Sequence, residues 1–382
     1  MSTKEFDLLV FIGRFQPFHL EHKRIIDIAL EKSKHVLVLI GSAGKPRTIR
    51  NSWTFAERKI MIQQNYPSPI FGEGSSWEAV PENHATRLII RPLFDKTYND
   101  TAWIRQVQDI VNGVSLDIAN PGLAGKIFKP SGMGHLKIGL IGADKDHSSF
   151  YLKMFPQWGS VNVDILAELH ATEIRNSFLD GTLTVDVAKN SLPTNVVDFL
   201  FRKNSVYLGH DFGFKDTLYY TQLSSELTFV RNYKKAWEAA PYPVKHVTVD
   251  ALVEQSGHVL LVRRKAEPGK GLWALPGGHL NEFERLEDGM IRELREETKI
   301  KVPDPVLRGS IVANRTFDDP YRSMIGRVIT QAYHIKLRDD VILPKVKGSD
   351  DADKARWVPI SALHEEEFFD DHYAIINVFL GL

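Results

Sequence analysis

The chain has 382 residues, 43% apolar and 25% charged, an ordinary composition for a soluble globular protein and enough length for two domains. Its 48 basic and 48 acidic residues cancel, so no global field recruits nucleic acid or an anionic membrane, and neither is expected as a partner. There is no cysteine, which excludes disulfides and thiolate metal sites. No apolar run reaches the length of a signal peptide or a membrane span, so a cytoplasmic protein is expected.

Residues 6–12 form a run that is apolar except for Asp7, as a strand buried on both faces does. After GRFQPFH, the stretch HKRIIDIALEKS carries Ile25, Ile26, Ala29 and Leu30 at helical spacing, and HVLVLIGS reads as a second buried strand. Strand, helix, strand is a parallel crossover of right-handed sense. LIIRPL and LKIGLIGADKD repeat the pattern of buried strand and loop, and VDILAEL is expected to add another strand. The segment therefore reads as an α/β, doubly wound parallel sheet with helices on both faces and ligands at the carboxyl ends of its strands. LPTNVVDFLFRKN closes it as a helix, and a polar, aromatic stretch ends at the punctuation AAPYPVKH. Beyond lies an alternating pattern. HVTVDALVEQSGHVLLVRRK predicts two strands about Ser256 and Gly257, RVITQAYHIKL and KARWVPISAL follow, and one helix is expected at residues 286–298. The expected domains are residues 1–203 (α/β) and 241–382 (α+β), with residues 204–240 as a linker.

The helix at 286–298 poses a charge problem. At about 100° per residue, Glu293, Glu296 and Glu297 fall on one stripe, with Leu286, Met290 and Leu294 as the apolar face and Glu297 at its edge. Asn281 is expected to cap the helix, with Glu284 reaching back. Three repelling acids at a partly dehydrated edge are costly unless a cation neutralises them, and a hard divalent ion, Mg²⁺ or Mn²⁺, suits an all-oxygen site. A solvated helix laced by Arg292 and Glu296 is the competing reading. The surroundings decide against it. The spacing of Gly278, Glu284, Arg292, Glu293, Glu296 and Glu297, with Leu294 and Ile300, resembles the Nudix box. Lys299 departs from that pattern, standing where the family has the glycine that turns the chain out of the helix. The resemblance implies a hydrolase of linked nucleoside diphosphates, with Glu293, Glu296 and Glu297 on the metal. It also implies catalytic roles for Glu296 and Glu297, loop support by Glu284, and Arg292 orienting a glutamate. FDDPYRSMIGRVITQAYHI and KGSDDADKARWVPIS resemble the ADP-ribose pyrophosphatases of that family. That implies ADP-ribose as substrate, Arg322 and Arg327 as its binding residues, and Asp350 or Asp351 as candidate base.

The loop GRFQPFHLEH lies between the first strand and its helix, where backbone N–H groups cradle phosphates. Gly13 permits close approach of a ligand, and His19 and His22 share one face of the first turn. Their ring N–H groups would reinforce the positive helix terminus against a triphosphate. Thr172 is expected to cap a later helix, with Arg175 in its first turn and Gly181 at its stop. The run Gly13, Arg14, Phe15, Gln16, Pro17, Phe18, His19 resembles the start of nicotinamide mononucleotide adenylyltransferases of the archaeal type. IGADKDHSSFYLKMFPQW, with Gly142, Asp144 and Lys145, resembles the middle motif of that family, and LHATEIRNSFLDG resembles its late turn in part. The resemblance implies that Gly13, Arg14, Phe15, Asp144, Lys145, Thr172 and Arg175 bind ATP and the mononucleotide, and that His19, His22 and Arg175 are catalytic. Magnesium would arrive with ATP. Glu21 stands where that family has a glycine, and His170 and Ala171 where it has serines.

The order of the two resemblances is similar to that of a bacterial fusion family, the bifunctional nicotinamide mononucleotide adenylyltransferase/Nudix ADP-ribose pyrophosphatases. It implies a Rossmann-like nucleotidyltransferase domain followed by an α+β Nudix domain, both acting on small nucleotides in NAD metabolism. Competing readings make one half, the N-terminal one first, a nucleotide-sensing module. Others give the Nudix half a different nucleoside diphosphate derivative, or the transferase another acceptor such as phosphopantetheine. A homo-oligomer is left open. Trp53 and Trp103 are candidates for stacking on a base, with core packing as the commoner fate.

Overall fold

The computed structural model describes residues 4–66, 87–119, 136–143, 151–166, 169–201, 213–348 and 352–382. The chain forms two compact units, Met1–Gly44 with Asn51–Thr221, and Lys45–Arg50 with Gln222–Leu382.

The first unit is built on β1 (Phe6–Gly13), α1 (Leu20–Lys32), β2 (Ser33–Ile40), α2 (Phe55–Gln63), β3 (Leu88–Pro92), α3 (Asp100–Ala119), β4 (Ile138–Gly142) and β5 (Gly159–Asn162). The strands are parallel in the order β3-β2-β1-β4-β5. Leu8, Val10 and Ile12 of β1 pack with Leu37, Leu39 and Leu140 against Val107, Val111 and Val114 of α3. The strand order reverses between β1 and β4, so the crevice outside their carboxyl ends is the place for a ligand. The strand expected in VDILAEL is replaced by β5 just before it. Gly139 and Gly159 are register partners lying under the Phe6 ring, so only glycine fits there, whereas Ile165 and Leu166 are exposed and have no face to bury. The unit continues through α4 (Ala171–Leu179), α5 (Val185–Ala188) and the expected closing helix α6 (Thr194–Phe201). Trp53 is fully buried beside Phe178 and Phe214, and Trp103 packs on Phe155, so both tryptophans meet the core.

Within residues 204–240, α7 (Leu218–Ala236) buries Leu223, Glu226, Leu227 and Val230, and from Gln222 onward it lies with the second unit. That unit contains β6 (Lys245–Gln255), β7 (His258–Arg264), β8 (Trp273–Ala274), β9 (Gly277–His279), α8 (Leu286–Thr298), α9 (Asp304–Gly309), β10 (Ile311–Phe317), β11 (Arg327–Lys336), β12 (Ala352–Pro359) and α10 (His372–Leu380). Its mixed sheet runs β10-β11-β6-β7-β12, with β9 on β6 and β8 on β7. The expected single helix is therefore joined by α9 and α10. Both lie in segments whose short apolar runs gave no full helical period. Met290, Ile291 and Leu294 of α8 pack on Val249, Ala251 and Val253 of β6, whereas Leu286 is exposed and does not belong to the apolar face. Among the described residues no helix is long and apolar enough to cross a membrane.

Two local features carry measurable cost. Lys299 ends α8 in the left-handed conformation, φ 48 and ψ 31, and so makes with a side chain the turn that a glycine makes without strain. Lys299→Gly is expected to stabilise the second unit by about 1 kcal/mol in urea unfolding, and an unchanged midpoint would refute the strain. Glu226 is 5% exposed and accepts hydrogen bonds from the N–H groups of Ile49 and Gly269. Burial pushes its carboxyl up to about 7, Glu267 and Asp370 adding to the rise. The folded state thus keeps a proton that the unfolded chain releases above about pH 4.3. Its stabilising contribution is complete below that pH and is lost as pH rises through about 7, on the order of 3 kcal/mol. Glu226→Gln is expected to flatten this slope in stability measured between about pH 5 and 8. An unaltered slope would place the titration elsewhere.

Candidate active sites

In the first unit the loop after β1 turns on Phe15, whose φ of 53 is positive. Its ring is buried among Phe11, Phe18 and His22. A Cβ on Gly13 would lie 2.8 Å from that ring. The space that a side chain at Gly13 would take is therefore filled by the Phe15 ring, which is why this position is glycine. The Phe15 side chain likewise faces inward.

His19 is the N-cap of α1, and it forms a reciprocal capping box with His22. The His22 N–H donates to His19 Nδ1 and the His19 N–H to His22 Nδ1, both at 3.3 Å, with the rings stacked 3.5 Å apart. Each Nδ1 accepts, so in the neutral imidazoles the proton sits on Nε2, where it can be donated. Glu21 is turned back along the helix, where the Arg24 guanidinium holds it at 2.9 and 3.1 Å. Its side chain does not fill the position where glycine was expected.

Arg175, on α4, is 6% exposed and donates from Nη1 to the Gln16 carbonyl at 2.7 Å and from Nη2 to Thr172 Oγ1 at 3.3 Å. Thr172 lies inside α4 and not at its cap, because the N-cap is His170, with no side-chain hydrogen bond. The fold thus brings Thr172 and Arg175 to the loop that carries His19 and His22. Arg14 is exposed on that loop. Asp144 and Lys145 lie outside the described residues.

Sequence reasoning missed the group that ties these loops together. Arg58 is fully buried and donates to the carbonyls of Arg14 and Gly41 at 2.7 Å, of Ser42 at 3.1 Å and of Thr54 at 3.3 Å. Burial lowers its guanidinium to about 10, which leaves it charged at neutral pH beneath the ends of β1 and β2. Gln16 adds a second tie, accepting from the Trp53 N–H and donating to the Trp53 carbonyl. Neither residue had a sequence signal, since most of their partners lie far away in the chain.

In the second unit α8 carries the acidic stripe, and one arginine gathers it. Arg292 grips Glu284 through Nε and Nη2 at 2.8 and 2.9 Å, meets Glu293 and Glu296 with Nη1 at 2.8 and 3.0 Å, and donates from Nη2 to the His279 carbonyl. The Asn281 N–H donates to Glu284, but the N-cap of α8 is Arg285, so Asn281 shapes the loop and does not cap the helix. Glu297 accepts from the Gly277 N–H at 2.9 Å. Burial pushes Glu297 up to about 8 against that hydrogen bond, with Glu293 and Asp250 adding to the rise, and burial also raises Glu293. The hydrogen bond from Arg292 holds Glu284 below the usual range. A Cβ on Gly278 would lie 2.6 Å from the Glu293 carboxylate, and one on Gly277 2.2 Å from the Val249 carbonyl. Only a pair of glycines lets α8 bring its acids against β9.

Three carboxylates thus meet one guanidinium and Glu297 lies on the same stripe, Glu293 and Glu297 raised by dehydration, and all the donors are hard oxygens. This donor set fits Mg²⁺ or Mn²⁺. Glu293, Glu296 and Glu297 are the residues that could hold the ion. Among the described residues no three acidic or histidine side chains ring a single point, since Arg292 bridges Glu293 and Glu296.

The other expected residues are placed apart from the stripe. Arg322 forms a buried two-pronged pair with Asp371 at 2.8 and 2.9 Å, which commits its guanidinium to the N-cap of α10. Arg327 pairs with Asp318. Asp350 and Asp351 lie outside the described residues. Asp250, missed from sequence, is buried on β6 opposite Gly277, accepts from the Thr330 hydroxyl and faces Glu297 electrostatically. The signal for it was an aspartate inside the apolar strand HVTVDALV.

Comparison with known proteins agrees with this division. A cytidylyltransferase-like family model matches residues 10–151 and a NUDIX domain model matches residues 244–379. The chain is 34% identical over 206 residues to a nicotinamide/nicotinic acid mononucleotide adenylyltransferase of Acinetobacter baylyi, covering 53% of this chain and 90% of that one. It is 33% identical over 134 residues to an ADP-ribose pyrophosphatase of Methanocaldococcus jannaschii, covering 35% of this chain and 72% of that one. It also resembles the crystal structure of a bifunctional NMN adenylyltransferase/ADP ribose pyrophosphatase from Francisella tularensis, complexed with AMP and a manganese ion. There the TM-score is 0.79 at 32% identity, over 98% of this chain and 99% of that one. With two relatives above 30% identity, each covered over most of its length, and both units matched in one structure, the chain belongs to the bifunctional nicotinamide mononucleotide adenylyltransferase/ADP-ribose pyrophosphatase family.

Proposed function

We propose that the chain is a two-site enzyme of NAD metabolism. Its first site transfers the adenylyl group of ATP to nicotinamide mononucleotide, and its second hydrolyses ADP-ribose to AMP and ribose 5-phosphate. The proposed domain bounds for the two activities are residues 1–203 and 241–382. The observation that carries the reading is the occurrence, in one chain, of a double-histidine helix terminus at a strand-order reversal and a carboxylate stripe pressed on a pair of glycines.

At the first site the phosphate of the mononucleotide attacks the α-phosphorus of ATP, a new P–O bond forms, the bond to the bridging oxygen breaks and pyrophosphate leaves. No protein nucleophile is needed. The chain contributes alignment and charge: the Nε2–H groups of His19 and His22 and the guanidinium of Arg175 stand where negative charge accumulates on the phosphates. The position of Glu21, held by Arg24, supports catalysis here over a purely sensing role. At the second site water attacks a phosphorus of the diphosphate and the P–O–P bridge breaks. Glu293, Glu296 and Glu297 would hold a divalent ion, magnesium or manganese, which would supply polarisation of the diphosphate and acidification of water. Arg292 sets the carboxylate positions and Glu284 anchors Arg292.

His19→Ala is expected to lower pyrophosphate release from ATP plus nicotinamide mononucleotide by about a hundredfold, the usual effect of losing one donor to transition-state charge. If the unaltered protein releases none, the transferase assignment fails. Glu297→Gln is expected to remove most ADP-ribose cleavage in Mg²⁺ while the circular dichroism spectrum stays unchanged. Near-normal turnover by that variant would overturn the metal assignment. A substrate screen with ADP-ribose, NAD, NADH and dinucleoside polyphosphates tests the choice of substrate, and ADP-ribose is expected to give the highest kcat/KM.

A further inference from the structure

The first turn of α1 brings the two histidines to the phosphates of ATP, and a carboxylate is buried in that same turn. Glu21 stands between His19 and His22 in the chain and is 7% exposed. A negative charge there suits the helix alone, because it sits at the positive end of the peptide dipoles. It does not suit a triphosphate approaching that end, since the two anions compete for one positive potential.

The backbone sharpens this competition. The Leu20 N–H donates to the Ser191 carbonyl at 2.9 Å, the His22 N–H to His19 Nδ1 at 3.3 Å and the Lys23 N–H to the His19 carbonyl at 3.1 Å. With these amides engaged, the terminus acts on an anion chiefly through its field and through the histidine ring N–H groups. A field is what a neighbouring carboxylate cancels.

Arg24, one turn along α1, meets that carboxylate with two of its nitrogens. Its Nε lies 3.1 and 3.3 Å from the two Glu21 oxygens and its Nη2 2.9 Å from one of them. Nη2 also donates to the carbonyl of Asp164, just beyond β5, which fixes where the guanidinium stands and so draws the carboxylate along the helix. The Glu21 side chain is 9% exposed and that of Arg24 26%, so removing the arginine would leave a charge largely deprived of water. The helix terminus and the histidine rings, in the same turn, are the donors to which a freed carboxylate would turn.

We propose that Arg24 is a positioning residue of the transferase: it holds and neutralises Glu21, and thereby keeps the positive end of α1 for the triphosphate of ATP. Arg24 acts through Glu21 and does not itself touch the nucleotide. The proposal rests on the transferase reading given above and deepens it by naming the group that lets this turn carry a carboxylate.

Steady-state pyrophosphate release by the full-length protein from ATP plus nicotinamide mononucleotide, beside calorimetric titration with ATP, tests it. Arg24→Ala is expected to raise KM for ATP about tenfold, with kcat kept within about twofold, the scale of one uncompensated charge in a partly screened site. Adding Glu21→Gln to that variant is expected to return KM to within about twofold of the unaltered protein, because the charge that Arg24 offsets is then gone. An arginine that only braced the chain after β5, or that gripped phosphate itself, would not be rescued in this way. An unchanged KM in Arg24→Ala, or a double variant as weak as the single one, would overturn the proposal. Should Arg24→Ala not fold, Arg24→Gln carries the same comparison. If the unaltered protein releases no pyrophosphate, the transferase reading fails, and the ATP affinities of the three proteins still decide the role of Arg24.

Discussion

Arg292 is the constraint on which the second unit turns. One guanidinium reaches Glu284, Glu293, Glu296 and the His279 carbonyl, and so links the loop before α8, the helix itself and β9. Without it the helix would press several carboxylates against a sheet edge with nothing to offset their repulsion. The two glycines are the steric half of the same arrangement. They let the acids approach backbone N–H groups closely enough to be held, and a side chain at either place would collide with Glu293 or with β6. Excess negative charge remains after Arg292 is counted, and a cation-binding centre needs that excess.

The first unit solves the opposite problem, concentrating positive potential. Parallel strands end together at the reversal between β1 and β4, and the chain leaves β1 through a loop wedged by the buried Phe15 ring. The fully buried Arg58 binds the carbonyls of that loop and of the loop after β2. Its burial is tolerable because its N–H groups meet four carbonyls. The histidine pair is held by its reciprocal capping bonds, and Arg175 by the Gln16 carbonyl and the Thr172 hydroxyl, before any ligand is present.

The sequence showed the chemistry of both sites more clearly than their geometry. The acidic stripe and its glycines stood out because helical periodicity converts spacing into position, and α8 runs over the residues expected of it. Reading of local caps was less secure. Asn281 and Thr172 have the residue type of an N-cap, but caps are set by where the preceding loop departs, and here tertiary packing moves the helix starts to Arg285 and His170. The arginines diverged for a similar reason. Arg322 and Arg327 look alike in sequence, yet Asp371, nearly fifty positions on, takes the first into a buried pair.

What the sequence determined by itself was the main buried strands of both halves, the acidic helix and the residue types at each candidate site, because strand runs, helix periods and motif spacing are local properties of the chain. Tertiary structure alone decided which groups meet. The bonding of Arg58 to the carbonyls of Arg14, Gly41 and Ser42, the placement of Asp250 against Gly277 and the pairing of Arg322 with Asp371 all join residues distant in sequence. Such contacts are fixed by packing and strand register, which no single window of the chain encodes.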